Sequence, residues 1–201
     1  MKQPHALISG AGVAGPALAL CLARHGFAST VVERAPRLRE GGQAVDFRGP
    51  IHRTVLERLG LWQPIHEHRT RPSALILLDR SATACATLPE VMMAGDVEIL
   101  RGDLTRLLYE RSRATTDYRF GERIVALEDR GDGVHVELEH GPPQTFDLVV
   151  GADGLHSGVR ALAFGDEARF LRHHGYRIAT FAMPNVFGPT RDARMYSVPG
   201  R

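Results

Sequence analysis

The residues best suited to chemistry lie close to the amino terminus. GAGVAG, residues 10–15, follows the apolar run ALIS and opens the stretch PALALCLARH. In such a turn the three glycines serve different ends. Gly10 permits the tight bend, Gly12 lets the backbone approach a pyrophosphate without an intervening Cβ, and Gly15 lets a helix pack closely on a strand. Val13 and Ala14 fall at the start of that helix, where free amides and the positive end of the dipole favour an anion. Glu33 follows Gly12 by 21 residues, at the end of a second apolar run. A carboxylate in that place accepts hydrogen bonds from the ribose hydroxyls of an adenine dinucleotide. The same fingerprint serves NAD and FAD. Glu33 disfavours a 2′-phosphate in this turn, and Arg34 weakens that objection only slightly, because neighbouring strand residues face opposite sides. At this point FAD and NAD both stand.

The elements that must hold these residues can be read outward from the turn. HALIS (5–9) reads as a strand, residues 13–25 as a helix closed by Gly26, and STVVER (29–34) as a parallel second strand. Pro16 falls in the first helical turn, where its missing amide costs nothing. RAPRLREGGQAVDFRG reads as a long polar loop. Pro50 opens the helix IHRTVLERL, which stops at Gly60, and Leu61, Trp62 and Ile65 form a core patch. ALILLD (74–79) and VEILRG (97–102) read as strands, the second leading into the helix DLTRLLYERS with Asp103 near its start. Residues 123–128 and 134–138 form a hairpin around DRGDG. FDLVV (146–150) is nearly all apolar, as expected of a strand covered on both faces. It runs into the turn and helix GADGLHSGVRALAF. YRIATFAMP and ARMYSV read as two further strands that begin a second sheet.

Composition narrows the function classes. The chain has 201 residues, 43% of them hydrophobic, with 25 basic and 23 acidic side chains. That supports one substantial core and part of a second. The arginines are scattered, so there is no nucleic-acid footprint. No run is long enough to span a bilayer, and no membrane partner is expected. Cys21 and Cys85 make no disulfide framework, which fits a reducing cytoplasm. The histidine pairs His66/His68 and His173/His174 lack the acidic or cysteine companions of a metal set.

Five blocks, in order, resemble the class A flavoprotein monooxygenases, the family of para-hydroxybenzoate hydroxylase and of the tetracycline-inactivating and polyketide-tailoring hydroxylases: GAGVAGPALALCLARHG, VVERAP, GGQAVDFRGP, LRGDLTRLL and DLVVGADGLHSGVR. The resemblance implies an α/β, Rossmann-like FAD-binding domain of the glutathione-reductase kind, with an added β-hairpin, over residues 1–168. Residues 70–98 would contribute to a substrate domain, of which 169–201 hold the first strands. It also resolves the choice of dinucleotide. The glycine turn would hold the FAD pyrophosphate and Glu33 the adenosine ribose. Arg34 would lie over the adenine end, Asp46 near the flavin, and Arg101 at the phosphate and ribityl region. Asp153 and Gly154 match the family's Asp-Gly motif, associated with FAD and NADPH. There Asp153 would orient backbone amides near the ribityl chain; it could also cap the next helix, and the two uses are compatible. Arg160 would meet a pyridine-nucleotide phosphate.

The implied activity is hydroxylation of an aromatic or polyketide-like small molecule by dioxygen through a flavin hydroperoxide, with NADPH or NADH as reductant. No side chain stands out as a catalytic base. A reductase or halogenase relative, or a non-catalytic nucleotide-binding protein, is the alternative. The family's later Gly-Asp motif, which follows an apolar strand, has no match: Gly102-Asp103, Gly131-Asp132 and Gly165-Asp166 stand in the wrong contexts. The sequence therefore resembles the amino-terminal half of such an enzyme. The expected partners, besides substrate and dioxygen, are a complementing carboxy-terminal half or a second copy joined through strand edges at 176–198.

Overall fold

A computed structural model describes residues 2–71, 74–93, 95–181, 183–186, 188 and 192–198. The chain begins β1 (His5–Ser9), α1 (Ala14–Arg24), β2 (Ala28–Glu33), β3 (Ala44–Phe47), α2 (Gly49–Leu59) and α3 (Trp62–Glu67). It continues β4 (Ala74–Leu78), β5 (Ala84–Pro89), α4 (Glu90–Met93), β6 (Val97–Leu100), α5 (Arg101–Ser112) and β7 (Thr116–Phe120). Last come β8 (Ile124–Asp129), β9 (Val134–Leu138), β10 (Gln144–Phe146), β11 (Leu148–Gly151), α6 (Gly158–Phe164) and β12 (Ala193–Tyr196). Two compact units result: residues 1–41 with 101–178, and residues 42–100 with 179–201.

The first unit is built on a parallel sheet of order β11-β1-β2-β7. β1 is central, and Ala6, Leu7 and Ile8 are fully buried. Alternation sends them to two different cores. Ile8 joins Ala11, Ala19 and Val31, with Leu18 and Leu22 of α1 packed against them. Leu7 joins Val32, Ile124, Val136, Leu138, Phe146 and Val159, beneath the antiparallel sheet β10-β9-β8. A strand buried on both faces has no polar side to show, which is why HALIS is almost continuously apolar. α5 packs beside α1. Its buried side chains include Leu104, Leu107, Leu108 and Ser112. Ser112 shares a hydrogen bond of 2.6 Å with the Tyr118 hydroxyl of β7.

The second unit holds the ladder β3-β6 and the sheet β12-β4-β5. Its core includes Leu56, Leu59, Leu61, Ile65, Val97 and Ile99. Trp62 is only partly buried and carries the Arg53 guanidinium 5.0 Å from its ring centroid. α2 ends where Gly60 turns left-handed at φ 69°, a conformation that favours glycine.

Three readings from sequence need correction. The polar stretch 34–49 is not all loop: Ala44–Phe47 pairs antiparallel with Val97–Leu100, a ladder hidden because AVDF is short and set in a polar, glycine-containing run. FDLVV is not one doubly covered strand. It breaks at Asp147, whose amide donates to the His5 carbonyl at 3.0 Å. Phe146 then belongs to the antiparallel sheet, while β11 lies at the edge of the parallel one with Leu148 38% exposed. YRIATFAMP forms no strand at its described positions, 176–181 and 183–184; position 182 lies outside the described residues. Ile178 and Phe181 are exposed there, and among the described residues no sheet covers that apolar pattern. ARMYSV does contain a strand, β12, parallel to β4. Among the described residues no helix is long and apolar enough to cross a membrane.

Candidate functional site

Eleven of the twelve site residues expected from sequence lie in the first unit; Asp46 is in the second. The turn between β1 and α1 shows which of its glycines the protein itself needs. Gly10 has φ 109°, and a Cβ there would stand 2.5 Å from the Ala152 carbonyl oxygen and 2.9 Å from Asp153 Cα. Its amide donates to the Val32 carbonyl at 2.7 Å, tying the turn to β2. At Gly15 a Cβ would overlap the Gly10 carbonyl oxygen, so α1 could not start where it does. Gly12 is different. Its added Cβ would meet only Arg101 Nη2, at an ordinary 3.9 Å. Packing explains Gly10 and Gly15 but does not explain Gly12.

The start of α1 is open in chemical terms. Val13 occupies the cap position without a side-chain acceptor, and no acidic residue stands in the first turn. Ala14 is exposed. Arg101, the first residue of α5, reaches over the turn from the other side. It is exposed, and among the described residues its guanidinium makes no hydrogen bond or ion pair. Gly102 behind it lets α5 approach closely, since a Cβ there would lie 2.5 Å from the Gly41 amide nitrogen. An uncapped helix start, a glycine approached only by the end of the Arg101 side chain, and that guanidinium unpaired among the described residues fit a diphosphate.

Glu33 ends β2 half-buried. Oε2 accepts from the Ala11 amide and Oε1 from the Ala35 amide, both at 2.9 Å. The carboxylate therefore ties the turn to the strand end, and each oxygen keeps a further lone pair for another donor. Arg34, beside it, is exposed with no hydrogen bond or ion pair among the described residues.

Asp153 accepts four hydrogen bonds from the protein. Oδ2 accepts from the amides of Gly158 (2.8 Å) and Val159 (3.2 Å) and from Ser9 Oγ (3.3 Å). Oδ1 accepts from Ser157 Oγ at 2.5 Å. Ser157 in turn caps α6 by accepting from the Arg160 amide at 3.0 Å. The carboxylate thus fastens the start of α6 to the end of β1, directly behind the glycine turn. Gly154 lies exposed in the loop between them. Arg160 extends back along that loop, donating to the Leu155 carbonyl at 2.6 Å and to Glu167 at 3.2 Å. Within the second unit, Asp46 accepts from the Gly95 amide at 2.8 Å and from Arg48 Nε at 2.6 Å.

Sequence reasoning does not single out Ser9, Gly102 or Glu167. Gly102 stands inside the block LRGDLTRLL, but nothing in its spacing points to the Gly41 contact. Ser9 and Glu167 act through partners 144 and 7 residues away and leave no local pattern.

Comparison with known proteins supplies the family. An uncharacterised protein of Mycobacterium tuberculosis is 45% identical over 185 residues, which cover 89% of this chain and 50% of that protein. A flavin-dependent monooxygenase of Legionella longbeachae is 36% identical over 191 residues, covering 93% and 49%. The crystal structure of the tetracycline destructase Tet(51) superposes with a TM-score of 0.73 at 34% identity, covering 82% of this chain and 43% of that one. The chain thus spans about half the length of the curated relatives it matches. Residues 4–169 match the family described as FAD binding domain. The chain belongs to that family, with the α/β, Rossmann-like fold of the class A flavoprotein monooxygenases.

Proposed function

We propose that this chain provides the FAD-binding part of a monooxygenase that hydroxylates an aromatic or polyketide-like small molecule, with dioxygen as oxidant and NADPH or NADH as reductant. The observation that carries the reading is Arg101: a guanidinium unpaired among the described residues, facing the one turn glycine whose missing side chain their packing does not use. The backbone of Gly12, Val13, Ala14 and Gly15 would receive the pyrophosphate, with Arg101 neutralising it or reaching the ribityl oxygens. Glu33 would turn its remaining lone pairs to the adenosine ribose, and Arg34 would cover the adenine. Asp153 acts through the backbone, holding Gly10 and Gly154 where the cofactor passes. Arg160 is the cation for the pyridine-nucleotide phosphate, and Asp46 is assigned to the flavin side.

Bound FAD would supply the redox chemistry, and the protein's part is to bind, orient and shield it. The chain spans about half the length of the curated relatives it matches, and turnover is assigned to it acting together with a complementing carboxy-terminal half.

Titration of FAD into the purified chain, followed by quenching of flavin fluorescence, tests the binding step; wild type should bind and Arg101→Gln should bind about tenfold more weakly, the loss of one charge-assisted contact. Absence of FAD binding by folded protein overturns the reading. Labelled dioxygen appearing in product, once the chain is combined with a carboxy-terminal half, tests the reaction itself.

A further inference from the structure

Arg160 is held in an unusual way. It is the third residue of α6, and its Nη2 donates both to the Leu155 carbonyl, at 2.6 Å, and to Glu167 Oε2, at 3.2 Å. Its Nε is buried and has no hydrogen-bond partner. Phe170 lies under the guanidinium, 5.7 Å from Cζ to ring centroid, and the Arg169 guanidinium occupies the same ring at 5.9 Å. On the far side of Glu167, Oε1 is 3.0 Å from His156 Nδ1. Asp166 is engaged elsewhere, capping the short turn Glu167–Arg169 through the Ala168 amide.

Stability alone is a poor reason for this arrangement. The Arg160 and Glu167 side chains keep 23% and 38% of their surface exposed, and ion pairs of that kind contribute little. Against that small gain stands an orphaned buried donor, which costs more than an ordinary hydrogen bond returns. Beside the Leu155 carbonyl and the Phe170 ring, Glu167 is the one anionic partner of Arg160 in this inward pose among the described residues. An outward pose would free Nε to donate to an external acceptor.

We propose that Glu167 is a positioning residue that sets the affinity for the pyridine nucleotide: it acts as an internal anion holding Arg160 inward until a phosphate displaces it. This inference rests on the assignment of Arg160 to the nucleotide phosphate made above. The carboxylate and the phosphate compete for one guanidinium, so the nucleotide meets a locally neutral pair rather than a bare cation. Removing the carboxylate's charge removes the competitor.

Glu167→Gln keeps the size and an acceptor oxygen while deleting the charge. NADP+ is titrated calorimetrically into the FAD-loaded chain for wild type, Glu167→Gln, Arg160→Gln and the double variant. Glu167→Gln should tighten binding about fivefold, the scale of a partly exposed charge interaction. Arg160→Gln should weaken it, and the gain from Glu167→Gln should vanish in the double variant. A second readout needs no nucleotide: hydrogen exchange at Arg160 Nε, slow in wild type, should accelerate in Glu167→Gln. Unchanged or weaker binding by Glu167→Gln, with Arg160→Gln still impaired, overturns the competition while leaving the phosphate assignment intact. A full gain in the double variant also overturns it, because the effect would then not run through Arg160. If Arg160→Gln binds like wild type, or wild type does not bind NADP+, the phosphate assignment fails and this inference with it. Unaltered Nε exchange removes the positioning role on its own.

Discussion

Alanine substitutions at the three glycines of the turn should separate the demands of the fold from those of the cofactor. At Gly12 an added Cβ meets only Arg101 Nη2, at 3.9 Å, an ordinary contact with the movable end of a side chain. Gly12→Ala should therefore leave stability within about 0.5 kcal/mol of wild type, a melting shift of no more than about 2 °C. At Gly15 the Cβ would overlap the backbone oxygen of Gly10, and neither partner can move without shifting α1 against β1. That conflict should cost about 4 kcal/mol or more, enough to leave Gly15→Ala unfolded or insoluble. At Gly10 the positive φ and the 2.5 Å approach to Ala152 predict the same outcome. FAD affinity should order the variants differently. In Gly12→Ala a methyl group stands where the diphosphate must approach the backbone. Loss of two charge-assisted hydrogen bonds is worth about 3 kcal/mol, more than a hundredfold in Kd. Thermal melts followed by circular dichroism, paired with FAD titration by flavin fluorescence, read both quantities on one sample. A well-folded Gly12→Ala that binds FAD as wild type does would refute the placement of the diphosphate at this turn.

Other outcomes follow from single contacts. Asp153→Asn should destabilise the chain by about 2 kcal/mol, because an amide group would face donors from Ser9, Ser157, Gly158 and Val159 where every one needs an acceptor; denaturant melts measure it. Ser157→Ala, which removes the α6 cap, should cost about 1 kcal/mol by the same assay, and the pair should be less than additive. Phe146→Ala should cost about 3–5 kcal/mol, since the ring is 1% exposed beneath the hairpin sheet. Burial pushes the Tyr118 hydroxyl up to about 12 from an ordinary value near 10. The folded state then holds its proton where the unfolded chain has released it, so stability should fall as pH rises from about 10 to about 12. Comparison with Tyr118→Phe isolates this contribution, and identical alkaline profiles would contradict it.

Much of the first unit is legible in the sequence because its signals are local. A strand, a glycine turn, a helix and a second strand each carry their own pattern, and DRGDG marks its hairpin within five residues. The failures arise where tertiary pairing decides. Ala44–Phe47 becomes a strand only because Val97–Leu100, some fifty residues on, supplies the other half of its ladder. TDYRF at 116–120 carries no clear strand pattern because three of its five residues are polar, yet its register with β2 places Tyr118 opposite Val31. FDLVV looks like one strand because hydrophobicity does not record which sheet each residue joins.

The candidate site shows a similar division, between what a residue type can do and what its neighbours leave it free to do. Asp153 and Arg101 are both singled out by their motifs. In the structure the Asp153 carboxylate accepts from four protein donors, and Arg101 has no polar partner among the described residues. Exchanging the charge of each should therefore have opposite signatures. Loss of Asp153 should act first on melting and only through it on FAD affinity. Loss of Arg101 should act on affinity with melting unchanged. No sequence spacing encodes that difference, because it depends on whether lone pairs and donors are already matched inside the fold. If Arg101→Gln lowers the melting temperature as much as Asp153→Asn does, the guanidinium is a structural contact and the reading of an unpaired cation waiting over Gly12 fails.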